Sequence, residues 1–252
     1  MEKFVDFITR GKSSIILPFI LLLFSCILFE ITDLDLYIQD YFFDAQTQSW
    51  VFNFKDENSI AVFIYHKLLK GFVILFAVAL LTRIIRAAIK HTETPERIKK
   101  MIYVFVVLAV IPGAVGAIKH QTNMPYPYKI HRYGGPEYRR TLFEAFSSKP
   151  LPSGSGRTDF HGWPGGHSSA GFALLGLGFA FADRKKRLKG FLFATFYGFL
   201  LGMCHTVDGN HFFSHNLASW FIGWFLAAVT YKLFFKTAIG HQPTADSRET
   251  LS

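Results

Sequence analysis

Residues 163–189 read Trp-Pro-Gly-Gly-His-Ser-Ser-Ala-Gly-Phe-Ala-Leu-Leu-Gly-Leu-Gly-Phe-Ala-Phe-Ala-Asp-Arg-Lys-Lys-Arg-Leu-Lys. A polar turn ending in His167 leads into an uncharged run to Ala182, and a basic hexapeptide, 184–189, closes it. Crossing a bilayer core takes roughly 20 apolar residues over about 30 Å, and basic residues gather on the cytoplasmic side of such spans. The run is therefore expected to cross a membrane from an outer Gly-Gly-His turn to a cytoplasmic basic end. The rest of the chain repeats the pattern. Half of the 252 residues are apolar, 29 are Phe, and uncharged runs of similar length recur. Six spans are expected, at about 14–31, 67–86, 101–118, 167–183, 190–207 and 212–235, which makes the fold class an all-α polytopic membrane helix bundle.

The formal charge of +9 does not mark a nucleic-acid binder, because the basic residues sit beside span ends instead of along one soluble face. The segments 83–100 and 184–189 are assigned to the cytoplasm. With six spans, the N-terminal segment (Lys3, Arg10, Lys12) and the tail 237–252 then fall on the same side. Cys26 and Cys204 lie far apart inside apolar runs, so neither a disulfide framework nor metal-type spacing is implied. The first apolar run is longer than a signal-peptide core and has no small-residue cleavage site, so it is read as a span. The whole chain is expected to form one membrane-embedded domain with external loops at about 32–66 and 119–166.

The first loop carries Asp33, Asp35, Asp40 and Asp44 among aromatic residues, as suits the headgroup layer. The second is basic although it should lie outside: Lys119, Lys129, Arg132, Arg139, Arg140, Lys149 and Arg157 break the charge rule locally. Two explanations are open, an anionic ligand or unspecific contact with lipid phosphates.

Seven of the ten histidines fall between 119 and 215. Lys119 ends the third span, His167 opens the fourth, His205 approaches the end of the fifth and His211 precedes the sixth, so the topology alone carries all four to one outer surface. Ionisable groups at membrane depth are expensive and mark functional sites. The Gly165-Gly166 turn into a helix exposes backbone N–H groups at the positive end of the helix dipole, a cradle for phosphate. Small residues beyond it (Ala170, Gly171, Ala173, Gly176, Gly178) permit close helix contact.

Lys119 followed after six residues by Tyr126-Pro127, then Pro164-Gly165-Gly166-His167, then Cys204-His205 with His211 and His215 at the matching spacing, resembles the type 2 phosphatidic acid phosphatase superfamily of membrane lipid phosphatases. That family has motifs KxxxxxxRP, PSGH and SRxxxxxHxxxD on a six-helix domain whose site opens outside the cytoplasm. The resemblance covers about residues 100–235. It implies that His211 attacks phosphorus and becomes phosphohistidine, and that His167 protonates the departing alkoxide. It also implies that Lys119, with the N–H groups of Gly165, Gly166 and His167 and with Ser168 beside them, holds the phosphoryl oxygens. No cofactor and no metal are required; the expected partners are a phosphorylated lipid and the membrane.

Four positions depart from the pattern: Tyr126 for Arg, Cys204-His205 for Ser-Arg, Gly165 for Ser, and His215 for the closing Asp. The expected compensation is that His205, with Arg139, Arg140 or Arg157, contacts phosphate in place of the missing arginines. His215, Asp208 or Asp159 is expected to orient His211. A cytoplasmic bacterial membrane with both termini inside is the expected setting. Transfer of the phosphate to a second lipid, a histidine-box metalloenzyme (His211 and His215 at i and i+4), and an inactive lipid-binding relative stay open as alternatives.

Overall fold

The computed structural model describes residues 2–52, 68–146 and 160–235. In chain order these form α1 (Glu2–Thr9), α2 (Ser13–Ile31), α3 (Leu34–Asp40) and a two-residue hairpin of β1 (Phe43–Asp44) and β2 (Ser49–Trp50). There follow α4 (Leu69–Lys90), α5 (Pro95–His120) and α6 (Leu142–Ala145). Next come α7 (Gly166–Phe172), a 3-10 turn (Ala173–Gly176) and α8 (Leu177–Ala180), then α9 (Arg184–Val207) and α10 (Phe213–Phe235). The architecture is an all-α polytopic bundle. Five helices among the described residues, α2, α4, α5, α9 and α10, are long and apolar enough to cross a membrane.

The fourth expected span, 167–183, differs from its expectation. It is a composite of three pieces of 7, 4 and 4 residues, roughly 24 Å long by helical rise. It stops at Phe181, whose extended backbone turns the chain toward Asp183, the N-cap of α9, which accepts the Lys186 N–H. The segment is short because it is the centre of the bundle, packed among α5, α9 and α10 instead of facing lipid. Phe172, Leu174, Leu175 and Phe179 are fully buried against Val107 and Ile111 of α5, Leu201 of α9 and Ala227 of α10. Glycines set that packing: a Cβ at Gly198 would stand 2.0 Å from the Phe172 ring, and one at Gly171 would stand 2.6 Å from the Gly198 Cα. By contrast α2 and α4 turn Ile16, Ile20, Phe24, Ile74, Leu75 and Val78 outward, the apolar surface that a lipid contact requires.

The basic segments share one end of the bundle. Asp6 of α1 pairs with Arg184 (2.8 Å) and Arg187, and Trp224 Nε1 of α10 donates to the Ile8 carbonyl. Arg10 donates to the Phe181 carbonyl and lies 4.1 Å over the Tyr231 ring. The α4–α5 turn, where Glu93 ties Arg83 to Arg97, borders the same region beside Phe181 and Ala182. Its start follows local rules: His91 is left-handed at the end of α4, and Thr94 caps α5 ahead of Pro95.

At the opposite end the acidic and basic loops meet. Arg132 makes a two-pronged pair with Asp40 (2.9 and 2.6 Å), and Arg139 pairs with Asp33 at 2.5 Å. Part of the local excess of basic charge is thus balanced within the chain. Gly198→Val should cost on the order of 1–3 kcal/mol by overpacking against Phe172. Gly113→Ala, with nothing within 4 Å of the new Cβ, should stay within about 0.5 kcal/mol of the parent. Thermal unfolding in detergent compares the two, and equal behaviour would contradict this packing.

Candidate active site

Four helix ends converge at the end away from the basic segments. Lys119 is the penultimate residue of α5, His167 the second of α7, His205 lies two residues before the end of α9, and His211 lies two residues before α10. The imidazoles of His167 and His205 lie 3.6 Å apart between centroids, and His211 stands 6.0 Å from His167 and 6.1 Å from His205. Lys119 Nζ is beside Gly166, only 3.3 Å from where a Cβ would stand there, and 5.7 Å from the Tyr126 ring centre. Tyr126 packs its ring 5.8 Å from His211. His205 and Tyr126, at two positions where arginines were expected, therefore both face the cluster.

Backbone bonds lock the cluster. The Gly165 N–H donates to the His215 carbonyl (2.8 Å), and the Gly165 carbonyl accepts from Ser219 Oγ (2.9 Å) and Ser168 Oγ (3.0 Å). The His211 N–H donates to the His205 carbonyl at 2.7 Å. Two expectations are corrected here. Gly165 does not offer its N–H to a phosphate, because α10 has taken it, and the Ser168 hydroxyl donates back into its own turn. Gly166, which opens α7, has an N–H group with no acceptor inside the helix.

The glycine at 165 also has a spatial reason. A Cβ there would lie 2.7 Å from Asn216 Oδ1 and from Ser168 Oγ. Asn216 is fully buried and its Nδ2 donates to Thr206 Oγ1 at 2.9 Å. Sequence reading missed Asn216, Thr206 and Ser219, though a run of buried-capable polar residues inside an otherwise apolar span was the available signal.

His215 touches His211 directly, Nδ1 to Nδ1 at 3.4 Å, and its ring is held from another side by the Gly162 backbone. Burial above all, then the charges of His215, Lys119, His167 and His205, holds the His211 imidazole well below the usual histidine value. It is therefore neutral near pH 7.

The remaining candidates lie elsewhere. Arg139 is taken by Asp33, and Arg140 donates Nη1 to the Asn123 carbonyl at 2.9 Å, in a cavity that His211, His167 and Lys119 do not line. Asp208 ends α9, accepts from the Asn210 backbone and side chain (3.0 and 2.6 Å) and stands 3.9 Å from His205 Nδ1. Arg157 and Asp159 lie outside the described residues. Asp35, unremarked as a site residue, accepts from the Ser214 N–H (3.0 Å) and hydroxyl; burial pushes its carboxyl up to about 6 against those bonds and the Arg139 charge. Among the described residues no group of three or more His, Cys, Asp or Glu is arranged to hold a metal ion.

A lysine and paired histidines thus gather at one end of a multi-pass helical bundle. The model of the PAP2 superfamily matches residues 100–239, more than half of the chain, and the protein belongs to that superfamily, whose members are phosphatases acting on phosphate esters. Neither a curated protein nor a solved structure matches it.

The His211 contact yields a pH test. If His211 is the attacking group it must be neutral, and activity should then be lost as pH falls through its pKa, in an acid limb below about 6.5. In His215→Asp a carboxylate would stabilise the imidazolium and raise the pKa, so the limb should move up by about one unit or more. A kcat/KM profile with the limb unmoved would contradict the assignment.

Proposed function

We propose that the chain is a membrane lipid phosphatase that hydrolyses a phosphate monoester or pyrophosphate of a lipid through a phosphohistidine on His211. The observation that carries the reading is the 6.0 Å separation of His167 and His211, with Lys119 beside the first turn of α7. That gap fits one phosphoryl group with attacking and leaving atoms roughly in line.

The protons follow from the contacts. His215 Nδ1, 3.4 Å from His211 Nδ1, accepts its proton in this scheme. That leaves the His211 Nε2 lone pair for phosphorus. A neutral imidazole thus replaces the expected aspartate as the orienting group. As the N–P bond forms and the P–O bond to the lipid breaks, His167 donates a proton to the departing alkoxide. Water, deprotonated by His167, then attacks phosphohistidine and releases inorganic phosphate. Lys119 and the N–H groups of Gly166 and His167 offset the charge that grows on the equatorial oxygens. Tyr126 and His205 face His211 and His167 at the positions where the family places arginines, so phosphate is held with fewer fixed charges. We assign the basic end of the bundle to the cytoplasm of a bacterial inner membrane, from the positive-inside bias, and the histidine end to the opposite side.

Purified protein should release phosphate from at least one of phosphatidic acid, a prenyl pyrophosphate or a phosphorylated glycolipid. His211→Ala should lower kcat by about 10³-fold or more and His167→Ala by about 10²–10⁴-fold. Release that persists unchanged in both variants would remove the mechanism.

A further inference from the structure

A second polar cavity, of about 170 Å³, adjoins the histidine cluster between the adjacent ends of α2 and α10 and the segment 139–142. Cys26, Phe29, Trp163 and Phe212 supply its apolar wall, and Glu30, Asp35, Arg139 and Arg140 its charged groups. His215 lines it, whereas His167, His211 and Lys119 do not. The His215 ring therefore presents His211 on one side and this cavity on another.

Three of the four charged groups have their partners. Glu30 accepts the N–H groups of Leu142 (2.7 Å) and Phe143 (3.5 Å), Asp35 accepts twice from Ser214, and Arg139 is paired with Asp33. Arg140 is different. It is 4% exposed, uses Nη1 on the Asn123 carbonyl, and keeps Nε and Nη2 buried with no acceptor among the described residues. Buried N–H groups of a guanidinium left without acceptors are costly, and the fork they form matches two oxygens of a phosphate. The carboxylates do not favour a cation here, because their oxygens already accept hydrogen bonds from the chain.

We propose that this cavity is a second anion subsite, in which Arg140 takes a phosphate or phosphodiester group of the lipid several atoms away from the phosphoryl group at His211. The proposal rests on the lipid-phosphatase reading and narrows its substrate class. The spacing follows from the two rings: the phosphoryl group sits at His211 Nε2, away from His215, whose ring centre lies 5.7 Å beyond that of His211. The two phosphorus atoms of a pyrophosphate share one oxygen and cannot straddle an imidazole. The lipid therefore carries two separated anionic groups, of which the terminal monoester is removed.

Two measurements test this on the full chain in detergent micelles. In the first, kcat/KM is compared for a glycerophospholipid with a phosphodiester and a terminal phosphomonoester, and for phosphatidic acid. The two-anion lipid should be favoured about tenfold or more, mainly through KM, and Arg140→Gln should bring the ratio to within about twofold. A ratio unchanged in Arg140→Gln overturns the subsite. The second needs no turnover and keeps Arg140. In His211→Ala, Cys204→Ala protein, the two-anion lipid should slow methanethiosulfonate labelling of Cys26 about tenfold, and phosphatidic acid by less than about twofold. Equal protection by both lipids, or protection by neither, also overturns it. Cys26 protection without any hydrolysis by the parent protein would sustain the subsite while removing the phosphatase reading.

Discussion

The site depends on one hydrogen bond, from the Gly165 N–H to the His215 carbonyl, made at 2.8 Å between residues 50 apart in sequence. Ser219 Oγ grips the same glycine from its carbonyl side, so the first two turns of α10 hold the peptide that opens α7. His167 follows two residues after that peptide, and His211 precedes its partner carbonyl by four. The distance between the two imidazoles is thereby set by backbone and not by flexible side chains, as a reaction with an in-line geometry demands.

The four departures from the family pattern make sense as one local solution. Asn216 occupies the space beside residue 165, which admits only glycine there, and ties α10 to Thr206 of α9. His205 lies against His167, and Tyr126 packs between Lys119 and His211. His215 in place of a carboxylate lets a pair of imidazoles share a buried contact with no net charge. In a buried pocket that arrangement avoids the desolvation cost of an ion pair, although it forgoes the stabilisation a carboxylate would lend to imidazolium.

Much of this was legible in the residues. Runs of apolar sequence with basic ends located five long spans, and motif spacing with topology brought Lys119, His167, His205 and His211 to one end. The length of the fourth span was not legible, since a buried composite helix and a lipid-facing one are equally apolar. Neither was the fate of Arg139 and Arg140: composition shows loop charges but not that both line a separate cavity, where Asp33 takes only Arg139. Gly165 was read as a phosphate cradle because its N–H precedes a helix; only the packing of α10 shows that the group is already bonded. The imbalance of the outer loop was resolved in part by Asp33 and Asp40, acidic residues distant in sequence whose pairing with Arg139 and Arg132 no local pattern announces.

In the proposed mechanism His211 carries the phosphoryl group between attack and hydrolysis. Rapid quenching of the enzyme with a lipid labelled in its terminal phosphate, followed by peptide mass spectrometry, tests it most directly. An acid-labile, base-stable phosphoramidate on His211 should accumulate in a His167 variant given an activated leaving group. Labelled phosphate on any other residue, or turnover with none bound at any time point, would contradict it.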